Sequence, residues 1–511
     1  MVVVQSTPGE PRALSPTDQT SHPHLRATLL LGCLAQFMVI LDVSVVNVAL
    51  PAIRNGLHFS EVDLQWVVNA YTVTFAGFLL LGGRAADLLG RRRVFVSGLV
   101  LFAVASLAGG LADSQTLLIA ARAAQGLGGA VIAPASLSIL TTTFAEGPAR
   151  NRAVGIWGAM GGAGGAAGVL LGGVLTTALG WRWILFINVP IGLAAAVVAQ
   201  RMILEGRDRS RAPAFDLAGA LTATVGLSVL VLGIVRTDAT GWGSAPTLAL
   251  IAAGVAILAA FIVIEGRFAT APLMPLRIYA SRRLSASNLV VLIVGGTSFG
   301  MWFFVSLYLQ QVLGYSPIRA GLAFLPMTLC IVAGSTFASR GVGRFGAKPL
   351  LVAGLVLLTL GLLWFSRISA HGSYLGDMLG ASLLTAMGIG LSFVPATISA
   401  VAGVAPREAG LASGLVNTSR LFGGALGLAI LAALATSRTD SELHAGGVTA
   451  HAALTSGFQL AFLISAGLAF IGGLVAMFGL PGPGWTPPGQ AATATGPTQR
   501  EARDAVPAEA A

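Results

Sequence analysis

Apolar residues run through this chain in long blocks, and short polar segments separate one block from the next. The blocks exceed the length of any buried strand, and many reach the roughly 20 apolar residues that an α-helix needs to cross a hydrocarbon core. Bounded by charges or by Pro and Gly clusters, they predict spanning helices near 28–50, 64–83, 93–112, 115–140, 153–178 and 183–203. Two more follow near 217–235 and 246–265, and then six near 286–311, 319–339, 348–366, 376–402, 410–436 and 457–480. The pattern is six plus two plus six.

Composition makes lipid the main solvent: 55% of residues are hydrophobic, 10% are charged, and the mean hydropathy is +0.83. The net charge of +10 does not signal nucleic acid, because the basic residues form neither a stripe nor a dense tail interleaved with aromatics. They sit in short loops. The two tails and the even-to-odd loops hold 22 of the 30, whereas the opposite loops hold six, which predicts that both termini are cytoplasmic. Residues 1–27 are expected to form a polar cytoplasmic tail without a cleaved signal peptide, and 481–511, rich in Pro, Gly, Thr and Ala, are expected to form a disordered tail.

Cys33 and Cys330 both lie in apolar runs, which argues against a disulfide framework, and the six histidines fall in loops or the N-terminal tail. No residue spacing suits a metal or cofactor. No nucleophile–base pair or phosphate loop appears in the polar segments, so an enzyme is not expected.

An internal repeat divides the chain. GRAADLLGRRRVF (83–95) aligns with SRGVGRFGAKPLL (339–351), setting Arg84 over Arg340, Gly90 over Gly346 and Arg92 over Lys348. Gly126, Gly128 and Pro134 recur at nearly the same offset as Gly388, Gly390 and Pro395, as Pro148 does with Pro406. The expected domains are bundles of six helices at 28–203 and 286–480, joined by a linker at 204–285 that carries two further helices.

An ionisable group deep in a membrane helix is costly and is a functional candidate by default. One carboxylate qualifies clearly, Asp42 in LAQFMVILDVSVVNVALP (34–51). Desolvation favours the protonated form of a carboxyl, so Asp42 could take a proton at one membrane face and release it at the other. The competing reading is a structural Asp held by Ser44, Asn47 or a neighbouring helix. Arg122 in LLIAARAAQGLGGA (117–130) cannot be neutralised and needs a partner or a wet cavity. If the first and fourth spans adjoin, Arg122 tunes Asp42; otherwise it snorkels to the outer interface. Arg420 poses the same question. In GIWGAMGGAGGAAGVLLGGVL (155–175), Gly164, Gly168 and Gly172 recur at four-residue spacing, which allows close helix packing, static or sliding. Gln36, Asn47, Trp66, Asn69, Tyr71, Tyr308, Gln310, Gln311 and Asn417 are candidates for lining a substrate cavity, each in competition with a helix–helix hydrogen bond.

These residues resemble the major facilitator superfamily, and within it the fourteen-helix drug:proton antiporters, over about 28–480. GRAADLLGRRR (83–93) looks like the signature of the loop between helices 2 and 3, carried here by Gly83, Asp87, Gly90, Arg91 and Arg92. RAAQGLGGA (122–130) and LDVSVVNVALP (41–51) are similar to the helix 4 and helix 1 motifs. WRWILFINVPIG (181–192), LYLQQVLGYSPIRAGLAFLP (307–326) and GLASGLVNTSRLFGGALG (410–427) also read like that group. The helix 5 antiporter motif, at Gly164, Gly168, Gly172 and Gly173, departs from the usual Gly-Pro pair, since Val169 follows Gly168.

The resemblance implies an all-α integral membrane protein with the major facilitator fold: two six-helix bundles plus two inserted helices, fourteen transmembrane helices in all. It implies proton coupling by Asp42 and Arg122, and a conformational latch in the 83–93 loop, with Asp87 near a helix terminus of the other bundle. The expected activity is proton-coupled export of small, mainly lipophilic compounds from a bacterial plasma membrane, by a monomer needing no cofactor beyond the proton gradient. Its partners would be substrate, protons and lipid. An importer or facilitator of the same fold is the alternative, and a non-transport receptor a distant one.

Overall fold

The computed structural model describes residues 23–144, 148–203, 205, 216–270, 272–402, 404 and 409–480, and helix is the only regular structure among them. Fourteen helices in the described residues are long and apolar enough to cross a membrane. They are α1 (Pro23–Leu57), α2 (Trp66–Leu89), α3 (Arg91–Gly110), α4 (Gln115–Thr143), α5 (Pro148–Ala178), α6 (Asn188–Met202) and α7 (Leu217–Val235). The remainder are α8 (Ala245–Val263), α9 (Arg282–Leu307), α10 (Pro317–Phe345), α11 (Ala347–Phe365), α12 (Gly380–Val401), α13 (Ala409–Ala445) and α14 (Ala450–Gly479). Four-residue helical turns precede α2 and α6, at Glu61–Leu64 and Trp183–Phe186, and π-helical turns extend α8 at Ile264–Phe268 and α9 at Tyr308–Val312.

Several helices outrun their apolar blocks. α1 continues through Pro51, since a proline removes one backbone bond but leaves the surrounding turns in place. α13 extends to Ala445 across SRTDSELHA, where Arg438 pairs with Glu442 one turn on and its Nε donates to Ser456 Oγ at 3.0 Å. α14 starts at Ala450 because the Thr449 side chain caps it, accepting from the Ala452 N–H at 3.2 Å. His24, His444 and His451 therefore stand on helix ends, not in the tail and loops where the sequence put them.

The chain forms two compact units. The first comprises the described residues up to Ser228 together with Gly314–Leu325; the second comprises Val229–Leu313 and the described residues from Pro326 onward. The boundary falls inside α7, and the first turns of α10 count with the first unit.

In the first unit α1 packs on α4, α5 and α6, while α3 packs on α4 and α6, and α2 on α4. In the second, α9 packs on α12, α13 and α14, and α11 on α12 and α14. The contacts of α1 and α3 recur in those of α9 and α11. The glycines paired by the repeat meet neighbours in exchanged order: Gly126 lies against the Tyr71 carbonyl of α2 and Gly128 against Phe102 of α3, whereas Gly388 lies against Leu358 of α11 and Gly390 against the Ile331 carbonyl of α10, where a Cβ would meet that oxygen at 2.6 Å. The packing of α1 and α3 is therefore repeated in the second unit, and that of the repeat-related glycines is not. α8 turns large side chains outward (Leu248, Val255, Ile262), as a helix facing lipid does.

The repeated loop builds the same junction in both units. Gly90 and Gly346 turn the chain between helices at φ 109° and 83°, a left-handed conformation that suits glycine. Two residues later a cation reaches the C-terminal end of α6 in one case and of α14 in the other: Arg92 Nη1 donates to the Ile203 carbonyl at 3.4 Å, and Lys348 Nζ to the Leu480 carbonyl at 2.9 Å. α1 and α9 contribute as well, since His24 Nδ1 lies 3.4 Å from the Met202 carbonyl and Arg282 donates to the Phe478 carbonyl at 2.8 Å. Helix C-termini carry unsatisfied carbonyls and partial negative charge, which cations complete.

Candidate functional site

Asp42 and Arg122 come together in the first unit. α1 and α4 adjoin, and Arg122 Nη1 meets Asp42 Oδ2 at 2.5 Å, with the two residues 1% and 0% exposed respectively. Arg122 does not snorkel to an interface. The carboxylate's other oxygen accepts from Gln125 Nε2 at 3.1 Å and from Asn188 Nδ2 at 2.9 Å. The Ser44 and Asn47 side chains are not its partners: Asn47 Nδ2 turns back to the Val43 carbonyl at 2.8 Å.

Arg122 has supports of its own. Its Nε donates to the Val67 carbonyl at 2.9 Å, its Nη1 also reaches Gln125 Oε1 at 2.9 Å, and its guanidinium lies 4.5 Å from the Tyr71 ring centre. Gln125 is fully committed, because its Nε2 also donates to Ser106 Oγ of α3 at 2.6 Å. Five helices (α1, α2, α3, α4 and α6) therefore converge on one charge pair. A buried pair is tolerable only with such additional hydrogen bonds, since desolvation of each ion costs several kcal/mol.

The α5 glycines hold α1 in place from behind. Cβ atoms added at Gly164, Gly168 and Gly172 would meet Phe37 O at 2.7 Å, Ser44 Cβ at 2.7 Å and Val45 O at 2.9 Å, so only glycine permits this approach. The contacts lie on either side of Asp42 along α1. Gly173 faces elsewhere, toward Pro317 O and Ile318 Cα of α10, at 2.7 and 2.8 Å for an added Cβ.

In the 83–93 loop, Gly83 lies beside Pro134, and Gly90 abuts the Glu205 carboxylate. Arg92 and Arg93 approach that carboxylate at 3.5 and 3.6 Å, and Arg91 is half-buried. The side chain of Asp87 lies outside the described residues.

The cavity candidates have separate surroundings. In the first unit Gln36 and Trp66 are half-buried, Asn47 is nearly buried, Tyr71 supports Arg122, and Asn69 donates to Gln65 Oε1 at 3.4 Å. In the second unit the buried Tyr308 donates to the Ser369 carbonyl at 2.7 Å, and Gln310 Nε2 to Ser306 Oγ at 3.2 Å. Both amide atoms of Gln311 are shielded and lack a partner among the described residues. Asn417 Oδ1 accepts from Arg420 Nε and Nη2 at 3.3 and 3.1 Å, and Arg420 lies 5.6 Å from the Phe393 ring centre.

The sequence reading missed Gln125, Asn188, Ser106 and Glu205. Gln125 was within reach of inference, being one turn from Arg122 on the same helix face. Asn188 and Ser106 carry no such signal, because their spans reveal depth but not which side chains face each other. No group of three or more metal-binding side chains occurs among the described residues.

A sequence profile of the Major Facilitator Superfamily matches residues 32–428 and 287–506. The chain is 46% identical over 434 residues to the cephamycin export protein CmcT of Amycolatopsis lactamdurans, covering 84% of this chain and 89% of that protein. It is 39% identical over 448 residues to the puromycin resistance protein pur8 of Streptomyces alboniger, covering 86% and 88%. Among solved structures, the bacterial homologue of the human lysosomal transporter Spinster, inward-facing and unoccupied, aligns at TM-score 0.62 and 18% identity, covering 91% of this chain and 100% of that one.

Proposed function

Because the chain belongs to the major facilitator superfamily, whose members are membrane transporters, we propose that it exports small, mainly lipophilic compounds, antibiotics among them, in exchange for protons by alternating access. The cephamycin and puromycin relatives support export of antibiotic-like molecules. The bacterial relatives support placement in a bacterial plasma membrane, and the Lys/Arg bias of the loops supports both termini in the cytoplasm. Neutral, zwitterionic and monovalent substrates are favoured over dications, since α10 and the apolar length of α13 contain no acidic residue.

The observation that carries the coupling is the sealed Asp42–Arg122 pair. Arg122 retains the Val67 carbonyl, Gln125 Oε1 and the Tyr71 ring when Asp42 is neutralised, so the guanidinium keeps part of its support as the carboxylate gains a proton. Net charge at the site then rises from zero to plus one. In the sealed arrangement, breaking the pair costs about 3–5 kcal/mol, so protonation has to wait until water reaches Asp42. Substrate leaves as Asp42 takes a proton at the outer face, and release of that proton inside resets the carrier. The membrane potential adds about 2.3 kcal/mol per charge per 100 mV to this cycle.

Everted vesicles with an imposed pH gradient test the reading. Adding substrate should dissipate the gradient with wild type and leave it intact with Asp42→Asn. A substrate that moves inward down its own gradient with no proton flux would establish facilitated transport and refute the coupling.

A further inference from the structure

A residue that changes protonation state needs different neighbours in each state. A carboxylate only accepts hydrogen bonds, whereas a carboxylic acid also donates one. Among the described residues, the three side chains that hydrogen-bond to Asp42 are all donors: Arg122 Nη1, Gln125 Nε2 and Asn188 Nδ2. The acid form therefore requires an acceptor that the charged form does not use.

Gln125 cannot supply it. Its oxygen already accepts from Arg122 and its nitrogen donates to both Ser106 and Asp42, so turning its amide breaks three bonds. Asn188 is different. It opens α6 immediately after the Trp183–Phe186 turn, is 0% exposed, and holds Asp42 Oδ1 by its nitrogen at 2.9 Å. Its own oxygen is buried and has no hydrogen-bond partner among the described residues. The terminal amide torsion is soft and nearly two-fold, so a half-turn exchanges nitrogen and oxygen without displacing the side chain. One amide atom is unsatisfied in either orientation, so the turn favours neither state of Asp42.

We propose that Asn188 is a positioning residue that serves Asp42 in both protonation states, donating to the carboxylate through Nδ2 and, after a half-turn, accepting from the acid through Oδ1. The inference rests on the proton-coupled reading above. One proton passes from water to Asp42 Oδ1, forming one O–H bond; that O–H donates to Asn188 Oδ1, and Arg122 keeps its charge. Release reverses each step.

Arg122 is the charged side chain facing Asp42, and Tyr71 of α2 faces Arg122. Other charged groups on the helices packed against α1 stand near helix ends. Arg54 pairs with Glu61, Asp63 bonds Ser60, Arg182 donates to the Ala112 carbonyl, and Arg150 to the Phe144 carbonyl. Arg84 and Asp87 of α2, Arg152 of α5 and Arg201 of α6 lie toward the ends of their helices.

The test compares Asn188→Leu, which keeps the outline but has neither donor nor acceptor, with Asn188→Gln, whose amide can do both. Purified full-length protein in liposomes is examined by pH-dependent infrared spectroscopy and by proton-driven efflux of puromycin. The acid C=O stretch of Asp42 is identified as the band that Asp42→Asn lacks. With Asn188→Leu the band should move to higher frequency, as the acid loses its acceptor, while efflux falls about tenfold with an unchanged pH midpoint. Asn188→Gln should recover both. If Asn188→Leu leaves the band in place and raises the midpoint by about one pH unit, Asn188 merely supports the carboxylate and the inference is overturned. If neither the band nor efflux changes, it is overturned too. Should Asn188→Leu not reach the membrane, the wild type decides: the Asn188 side-chain 15N resonance must titrate together with the Asp42 band, and a resonance indifferent to pH overturns the inference. Proton-coupled efflux that survives in Asp42→Asn refutes the coupling reading itself, a result distinct from all of these.

Discussion

Replacing Asp42 by Asn keeps the shape of the side chain and removes the charge opposite Arg122. Taking one partner from a buried ion pair costs about 3–5 kcal/mol, because the other charge stays in a low-dielectric interior. Arg122 retains the Val67 carbonyl at 2.9 Å, Gln125 Oε1 at 2.9 Å and the Tyr71 ring at 4.5 Å, which places the expected loss at the low end, about 3 kcal/mol. The new amide also sets a donor against the donors Gln125 Nε2 and Asn188 Nδ2, one of which must turn. Removing the second charge as well, in Asp42→Asn with Arg122→Gln, leaves no stranded ion. The double variant should therefore be more stable than the sum of the single losses by about 1–3 kcal/mol. Reversible unfolding of the four proteins in mixed micelles, with denaturing detergent as titrant, measures this coupling. Additivity within about 0.5 kcal/mol would mean that the two groups do not interact, and the charge-pair account would be wrong.

Three further outcomes follow from the geometry. Gly168→Val drives a side chain into Ser44 and the Leu41 carbonyl, and should cost about 1–3 kcal/mol, whereas Gly158→Val, with nothing within 4 Å of its Cβ, should be silent; melting curves of both variants check this. Gly90→Ala places a Cβ at φ 109° against Glu205 and should cost about 1–3 kcal/mol, and Glu205→Ala in the same chain should restore only the contact and not the backbone strain. Burial pushes the Tyr279 phenol above its ordinary 10.0, outweighing its hydrogen bond with Ser419. Above that pH the unfolded chain loses the phenolic proton first, so stability falls as pH rises, and Tyr279→Phe should flatten the fall in unfolding free energy measured across alkaline pH.

The helix count was legible because each crossing needs an apolar run of fixed length, and charged loops mark the ends of the runs. The ends themselves were not. α13 keeps its backbone bonds past the membrane through Arg438 and Glu442, polar residues that hydropathy treats as a stop. Asp42 and Arg122 stood out by depth alone, since an ion in lipid must be answered by something. What answers it was hidden. Asn188 lies 146 residues from Asp42, in a span whose sequence fixes how deep the amide sits and says nothing of which way it faces. Ser106 reads as a small residue suited to helix packing, yet it anchors Gln125.

The two junction loops tie off their units with different chemistry. Arg92 shares its guanidinium between the Ile203 carbonyl and Glu205, whereas Lys348 rests on the Leu480 carbonyl, with no carboxylate beside it among the described residues. Added electrolyte weakens an ionic contact that reaches water, as Glu205 does through the exposed Arg93, more than a bond to a backbone oxygen. Salt therefore loosens the knot at the end of α6 and spares the one at the end of α14, which makes ionic strength a means of softening one half of the carrier selectively.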